Sequence, residues 1–224
     1  MDLEQNTGTG IALNVTRTRV TVLVFNLTVI SVMLSILVAT RDAAGHHDIM
    51  AHLTSFAALF IGFCLTILGV FWLLHSQSWD AQGLSHPRPF TFGTITTYLA
   101  LSQTITAFMH EYILSFESGI EANSLSGVPP NALGDPAMLI LICMGGAVWL
   151  LITYVAPLLA ALKGSSLYGG RRWVIAGYYF ALQIPTYWVY AEAWHLTNVS
   201  PEQQPVNMLG LFALQFIQPL LWFN

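Results

Sequence analysis

Long apolar stretches alternate with short polar breaks along most of the chain. A membrane-spanning helix needs about 20 mainly apolar residues, and six stretches come close to or exceed that length. Proline and glycine end helices because proline lacks an amide donor and glycine loses more backbone freedom. They concentrate in the predicted breaks, which include 86–89, 127–131, 164–166, 169–170 and 201–205. The pattern predicts an all-α, polytopic membrane protein with a polar N-terminal segment over 1–19 and a six-helix transmembrane domain over 20–224. The predicted helices cover 20–40, 50–75, 93–116, 137–162, 173–195 and 206–224.

Composition strengthens the membrane interpretation. Of the 224 residues, 55% are hydrophobic and only 8% are charged, whereas a soluble domain carries about 25% charged residues. A soluble fold of this length would have to expose large apolar patches, which a bilayer accepts without penalty. The formal net charge is −4, and no basic cluster indicates a nucleic acid partner.

The basic residues predict an orientation. Cytoplasmic loops of membrane proteins carry an excess of lysine and arginine. With six spans, one side of the bilayer receives six of the seven basic residues, and only Arg41 lies on the other. That side is therefore expected to be cytoplasmic, with both termini in the cytoplasm and the chain in an inner or plasma membrane. The six residues are Arg17, Arg19, Arg88, Lys163, Arg171 and Arg172.

The first predicted helix carries polar side chains at Asn26, Thr28, Ser31 and Ser35. Residues 28, 31 and 35 recur at spacings of three and four, which places their hydroxyls on one stripe of a helix. One interpretation is a hydrated pore lined by hydroxyls. The other is close helix packing, with each hydroxyl bonded to the carbonyl four residues earlier.

A second polar group is expected near the outer surface. His110 and Glu111 end the apolar part of the third predicted helix, and Glu192 and His195 end the fifth. Such residues either lie at the interface or form a buried relay or cation site. If the two pairs converge, they form an acidic outer vestibule. They also allow an intramembrane enzyme, but no motif fixes a reaction, so we predict neither an enzyme nor a metal site.

Prolines interrupt three predicted helices, at Pro157, Pro185 and Pro219. Gln183 and Gln218 stand close to two of them, and we expect these amides to satisfy carbonyls that the prolines free. The alternative is a substrate site at broken helices, as in transporters.

Short sequence patterns in the first half of the chain are similar to those of a known family. Phe25 precedes an apolar run with small hydroxyls, Gly-Val-Phe-Trp-Leu-Leu-His occupies 69–75, and Glu111-Tyr112 follows the third apolar stretch. Over about residues 20 to 112 the chain resembles the transmembrane protein 175 family of potassium-permeable channels. Bacterial members of that family are six-helix chains that assemble as tetramers.

The resemblance implies a homotetrameric channel for a monovalent, potassium-like cation. It implies that helix one lines the pore, with Val32 at the constriction and Ser31 and Ser35 as flanking ligands. Asn26 and Leu27 stand where the family has Ser and Asp, and we expect Asn26 to replace part of their buried polar network. No TVGYG-type filter loop is present. The candidate pore-lining residues are Asn26, Thr28, Ser31, Val32 and Ser35.

An accessory subunit of a larger respiratory or photosynthetic membrane complex is the alternative. Such subunits are small, carry few charges and contact membrane lipid and partner helices. A haem or chlorophyll would be held by His52 or His110, since histidine is a common axial ligand. The channel interpretation requires no cofactor.

Overall fold

The computed structural model describes residues 17, 19–35, 38, 52–81, 87–123, 136–167, 172–198 and 207–223. All regular secondary structure within these residues is helical, which confirms the predicted all-α class. The described residues form six helices in sequence. They are α1 (Arg19–Ser35), α2 (Leu53–Ala81), α3 (Pro87–Asn123), α4 (Pro136–Leu150, continued by a π-helical turn over Leu151–Val155 and by Ala156–Leu167), α5 (Arg172–Asn198) and α6 (Met208–Leu214, continued as a 3₁₀-helix over Gln215–Phe223).

Two predicted breaks lie inside helices. Pro87, Arg88 and Pro89 form the first turn of α3, where a missing amide hydrogen costs little because the first amides of a helix have no partner within it. Gly164-Ser165-Ser166 lies in the last turns of α4. The predicted breaks at 127–131, 169–170 and 201–205 fall outside the described residues.

Helix α3 is the centre of the bundle. It packs along α2 and also contacts α4, α5 and α6. Helices α2 and α3 approach closely at Gly93, where an added Cβ would lie 2.8 Å from Cγ of Leu73. Small residues permit this kind of close backbone approach between membrane helices.

The distribution of polarity is inverted relative to a water-soluble protein. Most hydroxyls and amides of α3 are buried against neighbouring helices, whereas large apolar side chains such as Phe60, Ile140 and Met144 are more than half exposed. Lipid favours this arrangement because it solvates apolar surface and cannot satisfy polar groups. The buried polar residues of α3 are Thr91, Thr94, Thr96, Thr97, Ser102, Gln103, Thr104 and Thr106.

Two helices are long and apolar enough to cross a membrane by length and composition, over Leu53–Trp79 and Met138–Leu162. Two shorter apolar helices cover Arg19–Ser35 and Met208–Trp222. Helices α3 and α5 have the length to cross but carry more polar residues. The described residues therefore form six helices, of which two are strongly apolar and of membrane-spanning length.

Candidate functional site

The buried side-chain amide of Asn26 connects α1 to α2 and α3 by hydrogen bonds. Nδ2 of Asn26 donates to Oγ1 of Thr66 on α2 at 3.1 Å, and Oγ1 of Thr104 on α3 donates to Oδ1 of Asn26 at 2.7 Å. Asn26 is 2% exposed. Residues two apart in a helix point about 200° from each other, so Asn26 lies opposite Thr28 and does not share its stripe. Asn26 therefore joins three helices through a buried polar network instead of facing outward.

A second contact fixes the beginning of α1. The guanidinium of Arg19 donates to Oγ1 of Thr94, and its Cζ lies 4.2 Å from the centroid of the Phe90 ring. Both partners belong to the first turns of α3. A cation over an aromatic face is stabilising, most of all where water is excluded. Helix α1 is thus held to α3 by polar contacts at two levels, Arg19 and Asn26.

The opposite side of α1 is uncovered within the described residues. It presents Thr21, Thr28, Ser31, Val32 and Ser35, all exposed, and we call these residues the hydroxyl face. Val32 is 54% exposed. The hydroxyl face contains the predicted pore-lining residues except Asn26, together with Thr21 two turns before Thr28.

Each hydroxyl of this face donates to the helix's own backbone. The Oγ atoms of Thr28, Ser31 and Ser35 donate to the carbonyls four residues earlier at 3.1, 2.8 and 2.8 Å. These are the bonds expected from the packing interpretation. They also leave the oxygen lone pairs available, because a hydroxyl has one hydrogen and two acceptor sites. The face can therefore accept hydrogen bonds from water or coordinate a cation without breaking an existing bond.

A contact between His52 and Glu111 joins α3 to the start of α2. Nδ1 of His52 lies 2.9 Å from both carboxylate oxygens of Glu111, and the two side chains are 26% and 18% exposed. Sequence reasoning placed Glu111 beside His110 and missed His52 as its partner. The signal was available, because consecutive antiparallel helices bring the start of one beside a late turn of the other.

The other three residues of the predicted outer polar group lie on α3 and α5. His110 is half-buried next to Glu111, Glu192 is exposed on α5, and His195 is half-buried one turn later. A carboxylate hydrogen-bonded to Nδ1 fixes the orientation of a histidine ring, as it does for histidines that bind metals. In the part of the chain that the structure describes, however, no three His, Cys, Asp or Glu side chains come together as a metal site requires.

Two prolines each leave a backbone carbonyl without an amide donor, and a tyrosine hydroxyl donates to each of these two carbonyls. The sequence suggests glutamines for this role. In an α-helix the amide of residue 157 would donate to the carbonyl of Thr153, but Pro157 has none, and the Tyr179 hydroxyl donates to that carbonyl at 2.9 Å. In a 3₁₀-helix the amide of residue 219 would donate to the carbonyl of Phe216, but Pro219 has no amide hydrogen. The Tyr154 hydroxyl donates to that carbonyl instead.

The two glutamines bind side chains instead. Nε2 of Gln183 donates to the Tyr179 hydroxyl at 3.3 Å, and Oε1 of Gln218 accepts from Oγ1 of Thr106 at 3.0 Å. At Pro219 the freed carbonyl of Phe216 is bound by Tyr154, whereas the described bond of Gln218 is to Thr106. The expected role of Gln183 at Pro185 stays a prediction. Sequence reasoning missed Tyr154 and Tyr179. Their signal was a tyrosine in the interior of an apolar helix that requires a polar partner.

Comparison with other proteins gives no relative for this chain. No protein-family model matches it, and neither a curated protein nor a solved structure matches it. The function therefore has to be argued from the α1 site and the bundle around it.

Proposed function

We propose that the chain is an integral membrane protein with six spans and both termini in the cytoplasm, residing in an inner or plasma membrane. Helices α2 and α4 provide the two strongly apolar spans. The polar side chains of α3 are mostly buried between helices, which removes the main cost of placing this helix in lipid. The one-sided distribution of lysine and arginine supports the orientation.

The sixth helix would extend about 28 Å if its seven α-helical and nine 3₁₀ residues were collinear, close to the hydrocarbon thickness of about 30 Å. The backbone of Ile217 departs from helical geometry (φ −120°, ψ 37°), so the segment is kinked and its end-to-end length is smaller. A bilayer accommodates a short span of this kind by local thinning.

The outer membrane boundary is proposed at the His52–Glu111 pair. Both side chains are partly exposed, and α3 continues beyond Glu111 to Asn123. With 37 residues α3 is about 55 Å long, so it has to extend past the hydrocarbon core. Partial exposure of both side chains agrees with the interface interpretation of Glu111 and disfavours a buried relay.

We propose that the protein is one subunit of a homo-oligomeric channel for monovalent cations, with the hydroxyl face lining the path. The observation that supports this is the two-sidedness of α1. Buried contacts from Asn26 and Arg19 hold one side of the helix, while the described helices leave the hydroxyl side uncovered. A pore requires this combination of a fixed backbone and outward oxygen ligands.

The chemistry of the face fits weak cation coordination. The hydroxyl oxygens of Ser31 and Ser35 accept without losing their backbone bonds, so they can replace part of a hydration shell. Val32 lies between them and would form an apolar constriction when copies meet about an axis. Phe25, 68% exposed, lies on the same side of α1 toward the cytoplasmic end. A tetramer is the assembly that the resemblance to the transmembrane protein 175 family favours.

Thiol accessibility tests whether the hydroxyl face meets water. The exposed free cysteines Cys64 and Cys143 are first replaced by alanine. Single cysteines at Thr28, Ser31 or Ser35 are then expected to react with a membrane-impermeant methanethiosulfonate reagent, because only hydrated thiols ionise and react. Cysteines at Ile140 and Met144, 60% and 63% exposed on α4, are lipid-facing controls and should stay unmodified. Equal protection of both sets would show that the hydroxyl face meets lipid.

Potassium flux into proteoliposomes tests transport directly. Val32→Asn should raise the flux by hydrating the constriction, and Ser31→Leu should lower it by removing a ligand and narrowing the path. Val148→Asn, the same polar change on the exposed surface of α4, should leave the flux as in the wild type. Unchanged flux in both α1 variants would rule out this pore assignment.

A further inference from the structure

An apolar groove of about 380 Å³ separates the second half of α4 from the beginning of α5. Its base includes Ile95 of α3. Two alanines, Ala161 on α4 and Ala176 on α5, line its walls, and their methyl side chains leave open the space that larger residues would fill. The volume lies in the range of about 300–1,000 Å³ that is typical of small-molecule sites. Other lining residues include Pro157, Leu162 and Phe180.

The groove offers little to water. The hydroxyls on its wall belong to Tyr154 and Tyr179, and both donate to backbone carbonyls, of Phe216 and Thr153 respectively. A stable water in a cavity needs two to four polar partners. With these hydrogens already used and the remaining lining aliphatic or aromatic, the groove selects an apolar ligand.

The groove opens on the outer surface of the bundle. Leu158, Leu162 and Phe180 line it and are 59%, 50% and 48% exposed. In a bilayer this surface meets lipid tails, so a lipid chain reaches the groove laterally and needs no passage through the protein.

Basic residues stand at one end of the groove. Lys163 directly follows Leu162 in α4, and Arg172 is the first residue of α5, one turn before Ile175 and Ala176. Both lie on the proposed cytoplasmic side. Basic residues between transmembrane helices on that side attract anionic lipid headgroups.

We propose that this groove binds one acyl chain of an anionic phospholipid whose headgroup lies at the cytoplasmic end of the groove, at the level of positions 163 and 172 along α4 and α5. The proposal rests on the membrane topology proposed above and not on channel activity. The apolar, open groove explains the chain, and the basic residue types at these two positions explain the choice of an anionic headgroup over a zwitterionic one.

Native mass spectrometry of protein purified with equal amounts of phosphatidylglycerol and phosphatidylcholine tests the proposal. The wild type should retain one phosphatidylglycerol per chain. Ala176→Phe fills the groove and should lower lipid retention by about tenfold or more, because a packed site cannot accept additional volume. Ala181→Phe, the same change at an exposed position of α5 that does not line the groove, is the matched control and should retain lipid as the wild type does.

The headgroup is tested separately. Removing both charges in Lys163→Gln/Arg172→Gln should reduce the preference for phosphatidylglycerol by about 25-fold, because each of the two basic residues contributes about fivefold. Retention of lipid by Ala176→Phe, or an unchanged preference in the double variant, would overturn the proposal. Retention of free fatty acid or detergent in place of a phospholipid would overturn it as well.

Two measurements keep these outcomes interpretable. If Ala176→Phe does not elute as a single symmetric peak in size-exclusion chromatography, Ala161→Phe fills the groove from the opposite wall and decides the question. Carbonate extraction of cell membranes separates the two proposals. A chain released by carbonate contradicts the membrane topology, whereas a chain that resists carbonate and retains no phospholipid contradicts only the groove assignment.

Discussion

The hydroxyl of Tyr179 on α5 donates to the backbone carbonyl of Thr153 on α4 across 2.9 Å. The carbonyl belongs to the π-helical turn of α4 and lies four residues before Pro157, which has no amide hydrogen to offer it. An unsatisfied carbonyl in a lipid environment costs several kcal/mol. The phenol therefore allows a proline break in α4 and at the same time connects α4 to α5.

Removal of this hydroxyl should destabilise the protein. We expect Tyr179→Phe to lower the free energy of unfolding by about 1–2 kcal/mol, the usual cost of a lost buried hydrogen bond. Tyr178→Phe is the control and should cost less, because its partner Thr96 keeps a bond to the carbonyl of Phe92. Reversible unfolding in mixed micelles measures both.

A double-mutant cycle tests the connection to the proline. Pro157→Ala restores an amide at residue 157, so Tyr179→Phe should cost less in that background than in the wild type. Strict additivity of the two substitutions would show that Tyr179 does not compensate for Pro157.

Asn26 should stabilise α1 far more than the hydroxyls of the opposite face. Asn26→Leu removes the bonds to Thr66 and Thr104 and is expected to cost about 1–2 kcal/mol. The cost stays moderate because the Thr66 hydroxyl keeps the carbonyl of Gly62. Thr28→Val on the exposed side should change stability by less than about 0.5 kcal/mol. Equal losses for both variants would contradict the assignment of Asn26 as the anchor of α1.

Two glycines should respond in opposite directions to the same substitution. Gly93→Ala places a methyl 2.8 Å from Cγ and 3.3 Å from the backbone amide nitrogen of Leu73, so α2 and α3 have to separate, at a cost of about 1–3 kcal/mol. Gly177→Ala meets nothing within 4 Å and should stabilise α5 by about 0.4–1 kcal/mol. Thermal unfolding of the two variants side by side checks both signs. A stabilising Gly93→Ala would contradict the close approach of the two helices.

The assembly state separates the channel from the accessory-subunit alternative. Gently solubilised protein should run as four copies of the 24.7 kDa chain in light scattering corrected for detergent. Co-purification with a larger complex would favour the alternative. So would a Soret or chlorophyll absorbance band that His52→Ala or His110→Ala removes.

The all-helical class and the approximate positions of the helices could be predicted from the sequence. Run length and low charge determine these features locally, since a stretch of about 20 apolar residues in lipid has to satisfy its own backbone. The 3.6-residue period also placed Thr28, Ser31 and Ser35 on one stripe. The same period could also have shown that Asn26 faces away from this stripe, because side chains two residues apart on a helix point in nearly opposite directions.

Only the tertiary structure decided which polar groups meet. Spacing along one helix fixes a direction around that helix but not the neighbour found in that direction. The partners of Asn26 and Thr153 therefore became apparent only when the helices were packed. The same holds for helix ends, because prolines in the first turn of α3 begin a helix there instead of breaking one. Local sequence thus determined that these segments are helices. Packing determined that one side of α1 contacts α2 and α3 and that the described helices leave its other side uncovered.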